Sequence, residues 1–155
     1  MRPNMDTFSI HRMEEQDLEA IHQINALSFS SPWSREAIQA ELHNEQAYYL
    51  TARADGQTVG YAGAWLVFDE VQITNIAVHP QMRGRGIAGR LLQALIEDMR
   101  ERSMAVMFLE VRVSNQAAIR LYESAGFQYA GYRKGFYPDK EDAHVMSLKL
   151  PHSER

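Results

Sequence analysis

A short loop of arginines and glycines, between an apolar strand and an amphipathic helix, constrains this chain more than any other feature. The strand ends near Val78, the loop runs over residues 83–89, and the helix continues to about Met99. Unpaired N–H groups and the helix dipole make the start of such a helix attractive to anions. Glycine also lets the backbone approach a ligand closely. With Arg83, Arg85 and Arg90 around it, we predict that this loop binds a phosphate-bearing ligand.

Two well-known phosphate-binding loops can be compared with it. The loop of nucleotide hydrolases requires Lys-Ser or Lys-Thr after the glycines, and neither is present. Gly84, Gly86 and Gly89 do spell the dinucleotide pattern G-x-G-x-x-G, with Glu110 about 20 residues further on. Residues 79–83 nevertheless separate the strand from the first glycine, and the chain is short for a dinucleotide-binding oxidoreductase. That reading stays open as a weaker alternative, beside an ordinary strand–loop–helix with solvated arginines.

Composition narrows the class of protein. With 155 residues, 45% of them hydrophobic, we expect a single domain over 1–155, with flexible tails at 1–6 and 151–155. The net charge of −4 argues against a nucleic-acid partner, and no apolar run is long enough for a membrane span. The start of the chain resembles no signal peptide, so we expect a cytoplasmic protein.

Cysteine and histidine usage restricts the chemistry. The absence of cysteine excludes disulfides, thiolate metal sites and a cysteine nucleophile. The six histidines have no metal-ligand spacing, so we predict no metal site. His79, directly before Pro80, is expected to shape a turn at the end of a strand.

Hydrophobic periodicity predicts the order β-α-α-β-β-β-α-β-α-β-β, which indicates an α/β fold with a mixed sheet and helices on both faces. Asp17 and Ser34 are expected to cap the first two helices. Residues 54–57 include Asp-Gly and predict a hairpin turn. Gly126 is expected to end the last helix.

The strand before the loop changes its alternation. Val71 and Ile73 are apolar at odd positions, whereas Ile76 and Val78 are apolar at even ones. A strand keeps a period of two unless an extra residue is inserted, so we predict a β-bulge near Thr74-Asn75. Its unpaired N–H groups would be available to polarise a carbonyl.

Three polar residues are candidates for proton transfer. Glu110 is expected in the middle of a strand, and Asn115 and Tyr122 on one face of the following helix. A carboxylate, an amide and a phenol near an anion-binding loop can move protons. Each also has a simpler interpretation: Glu110 as a surface charge, Asn115 as a helix cap and Tyr122 as a packed aromatic.

Longer stretches of the chain resemble a known family. The glycine loop, read as Gln81-x-x-Gly84-x-Gly86, resembles the pyrophosphate loop of the GCN5-related N-acetyltransferases (GNAT). The pattern from Leu109 to Phe127, with Ser31-Pro32-Trp33, Asn75-Ile76-Ala77-Val78 and Glu141-Asp142-Ala143, closely resembles the RimI-type ribosomal-protein alanine N-acetyltransferases. The resemblance runs from about residue 8 to 150 and implies the GNAT fold. In that fold a mixed, mostly antiparallel sheet of about six to seven strands carries helices on both faces.

The resemblance also implies roles for individual residues. Glu110 matches the general base of the family and Tyr122 its general acid, and both Asn115 and Tyr122 would contact the cofactor. The backbone at the end of the strand before the loop would hold the acetyl group and the pantetheine arm, through Ile76, Ala77 and Val78. The loop and the first turn of the helix would hold the pyrophosphate, through Arg83, Gly84, Arg85, Gly86, Ile87, Ala88 and Gly89. One departure is Phe136-Tyr137, where related sequences often carry two tyrosines.

The implied activity is transfer of an acetyl group from acetyl-CoA, without a metal, to the N-terminal amine of a protein. The N-terminal alanine of a small-subunit ribosomal protein is the expected acceptor, and the enzyme is expected to be a monomer. Without a cysteine to carry the acetyl group, we predict direct transfer in a ternary complex. Acetylation of a small amine, such as an amino acid or polyamine, and a non-catalytic acyl-CoA-binding module remain the alternatives.

Overall fold

The computed structural model describes residues 7–151. Within them the chain forms seven strands and four α-helices, in the order predicted from the sequence. The strands are β1 (Ser9–Arg12), β2 (Ala47–Ala54), β3 (Gln57–Val67), β4 (Glu70–Val78), β5 (Val106–Arg112), β6 (Gln128–Arg133) and β7 (Ala143–Lys149). The helices are α1 (Leu18–Ser28), α2 (Arg35–Leu42), α3 (Ile87–Glu101) and α4 (Gln116–Ser124). None of the helices in this part of the chain is long and apolar enough to span a membrane.

The strands form one sheet in the order β1-β2-β3-β4-β5-β7-β6. β1 with β2, β2 with β3, β5 with β7 and β6 with β7 are antiparallel, and β4 with β5 is parallel. The α/β class and the mixed, mostly antiparallel sheet are therefore confirmed. Of the predicted tails at 1–6 and 151–155, only Pro151 is among the described residues, where it is exposed; the rest lie outside them.

Contacts along the chain separate two compact units. The first contains the described residues up to Trp65 together with Thr74–Leu95, and the second contains Leu66–Ile73 and the described residues from Ile96 onward. Both units include part of β4 and part of α3, so neither is a single continuous stretch. The expectation of one domain stays a prediction.

The core of the first unit is built by the two N-terminal helices against the hairpin of β2 and β3. Leu18, Ile21 and Ile24 recur at helical spacing and form one buried face of α1. They cluster with Ile38, Tyr49, Tyr61 and Ala77. The predicted cap of α2 is confirmed, because Ser34 Oγ accepts a hydrogen bond from the Ala37 N–H at 3.1 Å.

Asp17 has a different role from the cap that its position predicted. The helix does begin next to it, but its carboxylate makes no cap hydrogen bond to α1. The buried carboxylate instead accepts hydrogen bonds from Arg53 at 2.8 and 3.1 Å, from the Glu14 N–H at 2.8 Å and from the Thr58 hydroxyl. Burial raises the pKa of Asp17, but the hydrogen bonds from Arg53 and Thr58 outweigh it and hold the pKa below its usual value.

Replacing Asp17 with alanine is expected to destabilise the protein, because Arg53, only 14% exposed, would lose its buried partner. We expect a loss of about 3 kcal/mol, or about 6–12 °C in melting temperature, measured by thermal unfolding at pH 7. Since the folded pKa lies below the unfolded one, this stabilisation is present above about pH 4 and lost in stronger acid. The matched control is Glu14→Gln, which removes the exposed partner of Arg53; an equal loss in both variants would contradict this role.

Candidate active site

The arginine–glycine loop leads directly into α3, as the sequence predicted. Gly84 and Gly86 both have φ of +79°, a conformation that other residues rarely adopt. Among the described residues other than the chain neighbours, no atom lies within 4 Å of a Cβ built on either glycine, so this part of the chain leaves the loop open there. The first helical hydrogen bond runs from the Arg90 N–H to the Gly86 carbonyl at 3.1 Å. An open loop at a helix N-terminus has the shape and polarity that a pyrophosphate requires.

Two side chains fix the approach to this loop. His79 Nδ1 accepts a hydrogen bond from the Gln81 N–H at 3.1 Å and thereby shapes the short 3-10 turn Pro80–Met82, which confirms its predicted structural role. Arg83 Nε donates to the Val78 carbonyl at 3.3 Å and ties the loop to the end of β4. The third arginine, Arg90, lies in the first turns of α3, where its guanidinium is 5.5 Å from the centre of the Phe8 ring.

The end of β4 carries the backbone predicted to hold the acetyl group. Ala77 and Val78 are both buried, whereas Ile76 is only half-buried, so the expected even-numbered apolar face is not maintained. Gly60 on β3 allows the backbone of β3 to lie close to that of β4, because a Cβ at this position would be only 3.1 Å from the Ala77 carbonyl oxygen. The Oδ1 atom of Asn75 is buried and has no hydrogen-bond partner among residues 7–151. The predicted bulge at residues 74 and 75 stays a prediction.

In the second unit, β5 positions Glu110. Met107, Leu109 and Val111 are buried, and Glu110 lies on the opposite, half-buried face, within the strand as predicted. β4 pairs with β5 only from Glu70 to Gln72, whereas β7 remains paired with β5 as far as Arg112. Glu110 therefore lies beyond the last β4–β5 pair. A mid-strand acid in a mixed sheet of this kind does not match the ribose-binding acid of a dinucleotide fold.

Both oxygens of the Glu110 carboxylate have partners. Gln72 Nε2 donates to Oε1 at 2.9 Å, and Arg133 Nε lies 3.3 Å from Oε2. The Glu110 side chain is 20% exposed, so it is accessible to a substrate. Gln72 could not be identified from the sequence, because only the parallel register of β4 and β5 brings it near Glu110.

Asn115 and Tyr122 lie at the start and on the buried face of α4. Asn115 Oδ1 accepts a hydrogen bond from the Ala118 N–H at 3.1 Å and so caps the helix. Gly126, with φ of +101°, ends α4 as predicted, and the Phe127 N–H donates back to the Tyr122 carbonyl at 3.0 Å. The cap and packing interpretations of Asn115 and Tyr122 are thus confirmed, and their roles toward a cofactor stay proposals.

The environment of Tyr122 changes its acidity. Its ring is buried and packs edge-on against Phe127, with 5.7 Å between ring centres. Burial, with a smaller contribution from Tyr137, raises the pKa of Tyr122 to about 12. Burial and the charge of Glu110 also raise the pKa of Tyr137, although Arg112 opposes them. Burial is thus the main cause of the raised pKa of both phenols.

A cluster around Arg112, which no local sequence pattern indicated, fastens the loop that carries Tyr137. Arg112 Nη1 contacts Asp139 at 2.9 and 3.0 Å and Glu141 at 2.9 Å. Its guanidinium also lies 4.0 Å from the centre of the Tyr137 ring. Phe136, which is exposed, meets Tyr137 edge-on at 5.0 Å. The departure from paired tyrosines thus leaves one phenol in the loop, held by Arg112.

The chain is similar in sequence to known acetyltransferases. The model of the acetyltransferase (GNAT) family matches residues 18–127. A putative ribosomal protein bS18-alanine N-acetyltransferase of Bacillus subtilis is 40% identical over 144 residues, which cover 92% of this chain and 95% of that protein. The ribosomal protein bS18-alanine N-acetyltransferase of Escherichia coli K12 is 36% identical over 145 residues, covering 92% and 97%.

A solved structure agrees with these sequence relatives. The crystal structure of the ribosomal-protein-S18-alanine N-acetyltransferase from Escherichia coli superposes with a TM-score of 0.88 at 34% identity. The match covers 96% of this chain and 97% of that one. The similarity therefore extends over nearly the whole described fold.

Proposed function

The chain belongs to the acetyltransferase (GNAT) family, and from that premise we propose that it acetylates the N-terminal alanine of a ribosomal protein, bS18 or its equivalent. The observation that carries the chemistry is the anchored carboxylate of Glu110, which shares its unit with the buried phenol of Tyr122. The acceptor is inferred from the bS18-alanine N-acetyltransferases among the relatives.

Acetyl-CoA is the proposed acetyl donor, and when bound it supplies the thioester. The open loop around Gly84 and Gly86 fits its pyrophosphate, because it leads into the N-terminus of α3 and no described side chain fills the space beside either glycine. Arg83 and Arg85 would add positive charge, Ile87, Ala88 and Gly89 would supply the first helical turn, and Asn115 and Tyr122 would make further cofactor contacts.

Glu110 is proposed as the general base. An N-terminal amine has a pKa of about 7.7–8.0, so near neutral pH most of it is protonated and unable to attack a carbonyl. The carboxylate would accept the proton, directly or through a water molecule, as the nitrogen attacks the thioester carbon. The sequence contains no cysteine to carry the acetyl group, so the proposed transfer is direct.

Backbone at the end of β4 is proposed to stabilise the negative charge that develops on the thioester oxygen. The N–H groups of Ile76 or Ala77, freed by the predicted bulge, would donate to this oxygen, and Val78 would extend the contact to the pantetheine arm. Fixed backbone donors are suited to this task because they need little rearrangement as charge develops.

Tyr122 is proposed to assist the departing thiolate. Its pKa of about 12 keeps the phenol protonated at working pH, so it is available to donate a hydrogen bond to sulfur. A thiol has a pKa of about 8.5, so complete transfer of the phenol proton would be uphill. We therefore infer that Tyr122 stabilises the thiolate by a hydrogen bond and that solvent completes its protonation.

A substrate panel tests the proposed acceptor. Purified enzyme with acetyl-CoA is offered a peptide with the N-terminal residues of bS18, the same peptide with a blocked N-terminus, free alanine and a polyamine. We expect rapid release of the coenzyme A thiol only with the peptide whose N-terminus is free. Preference for free alanine or the polyamine would favour a small-amine acetyltransferase, and cofactor binding without turnover on any amine would favour a binding module.

Gly86→Ala tests the phosphate loop, with Gly56→Ala as a matched control. Gly56 lies in the β2–β3 turn with φ of +78° and open space around it, so both variants should lose a similar stability of about 1–2 kcal/mol. Only Gly86→Ala is expected to weaken acetyl-CoA binding, by about tenfold in calorimetric titration. Equal affinity in the two variants would contradict the assignment of the loop.

A ribosomal substrate is consistent with a cytoplasmic enzyme, and the net charge of −4 does not favour direct nucleic-acid binding. We propose that the chain acts as a monomeric single domain, without a metal.

A further inference from the structure

Gln72 is the last residue of β4 that pairs with β5, where it lies opposite Phe108. Glu110 follows two residues later on β5 and therefore shares the face of Phe108 and Gln72. Neighbouring strands are about 5 Å apart and two residues advance the chain by about 7 Å, a separation that two long side chains can bridge. They do so, because Gln72 Nε2 lies 2.9 Å from Glu110 Oε1.

The two oxygens of Glu110 are held unequally. Oε1 is bound by the half-buried amide of Gln72. Oε2 faces Arg133 Nε at the longer distance of 3.3 Å, and the Arg133 side chain is 56% exposed. Since exposed ion pairs are weak and screened by solvent, an incoming ammonium group can displace Arg133 from Oε2.

We propose that Gln72 is a positioning residue for the acetyl transfer: its amide fixes Oε1 and aims Oε2 at the substrate amine. The inference rests on the proposed role of Glu110 as the base. An amide suits this task, because it donates a hydrogen bond without a charge that would compete for the proton. It also remains bonded after Oε2 accepts the proton, since Oε1 is still an acceptor.

Gln72→Leu tests this role by removing the donor while keeping a side chain of similar volume. With acetyl-CoA and the bS18 N-terminal peptide, we expect kcat to fall about tenfold, because a hydrogen bond to a charged group is lost. The KM for the peptide and the dissociation constant of acetyl-CoA should change by less than about twofold. Glu70→Gln, an exposed change on the same face of β4, is the control and should leave kcat unchanged.

The decisive comparison adds Gln72→Leu to Glu110→Gln. If Gln72 acts through the carboxylate, the second change should alter the residual kcat by less than about twofold. A tenfold loss in both backgrounds, or an unchanged kcat in Gln72→Leu alone, would overturn the inference. Arg133→Gln should reduce kcat less than Gln72→Leu, and the reverse order would also overturn it.

Thermal unfolding and the kcat of Glu110→Gln separate a folding defect, a failure of the positioning role and a failure of the proposed base. Thermal unfolding shows whether Gln72→Leu is folded, and if it is not, Gln72→Met replaces it in the same comparison. A slow Glu110→Gln variant beside a normal Gln72 variant would reject only the positioning role. Full kcat in Glu110→Gln would reject the proposed base itself.

Discussion

Glu110→Gln is expected to lower kcat by about 10²- to 10⁴-fold, the usual contribution of a positioned general base. The amide has nearly the same shape as the carboxylate and can still accept a hydrogen bond from Gln72, but it cannot take a proton from the substrate amine. Affinity for acetyl-CoA should change by less than about twofold, because Glu110 is not proposed to contact the cofactor. Steady-state kinetics and calorimetric titration measure the two quantities separately.

Glu123→Gln is the matched control, since it neutralises an exposed carboxylate on α4. Its kcat should equal that of the parent enzyme. If Glu110→Gln kept full turnover, or lost acetyl-CoA binding together with activity, the assignment of Glu110 as the base would be wrong.

Tyr122→Phe is expected to lower kcat by about 10²-fold, because the departing thiolate loses a hydrogen-bond donor in a buried setting. The ring and its contact with Phe127 are kept, so the melting temperature should change little. Phe127→Leu is the contrasting variant, since it disturbs the packing but leaves the phenol in place. A larger loss of kcat in Phe127→Leu than in Tyr122→Phe would show that packing, and not the phenol, matters.

The pH dependence of the parent enzyme gives an independent test of the same residue. The rate should rise as the peptide amine loses its proton, with a midpoint of about 7.7–8.0, and then level off. Because burial raises the pKa of Tyr122 to about 12, its proton is retained through the plateau. A decline centred near pH 10, the ordinary value for tyrosine, would contradict a buried, protonated Tyr122.

Local patterns in the sequence predicted the elements and most of their ends. Ser34 caps its helix, Gly126 ends another, and the Asp-Gly turn joins β2 to β3, because each depends on neighbours only a few residues away. The loop before α3 was also predictable, since its glycines are needed for their backbone conformation. The GNAT family membership inferred from longer motifs is confirmed by the family match and by relatives of 36–40% identity.

The contacts that tune the site could not be read from the sequence. Gln72 meets Glu110 only because of the parallel register, across a separation of 38 residues. The cluster of Arg112 with Asp139 and Glu141 spans a separation of nearly 30 residues. Asp17 stands where a helix cap was predicted, but its carboxylate accepts hydrogen bonds from the distant Arg53 and Thr58 instead. Local rules do not specify such long-range polar pairs.

Intact-mass and fragment spectrometry of ribosomal protein bS18, treated with acetyl-CoA and this enzyme, tests the central claim most directly. The predicted result is one acetyl group on the α-amine of the N-terminal alanine, formed by the parent enzyme and almost absent with Glu110→Gln. Acetylation confined to lysine side chains, or thiol release that leaves the N-terminus of bS18 unmodified, would contradict it.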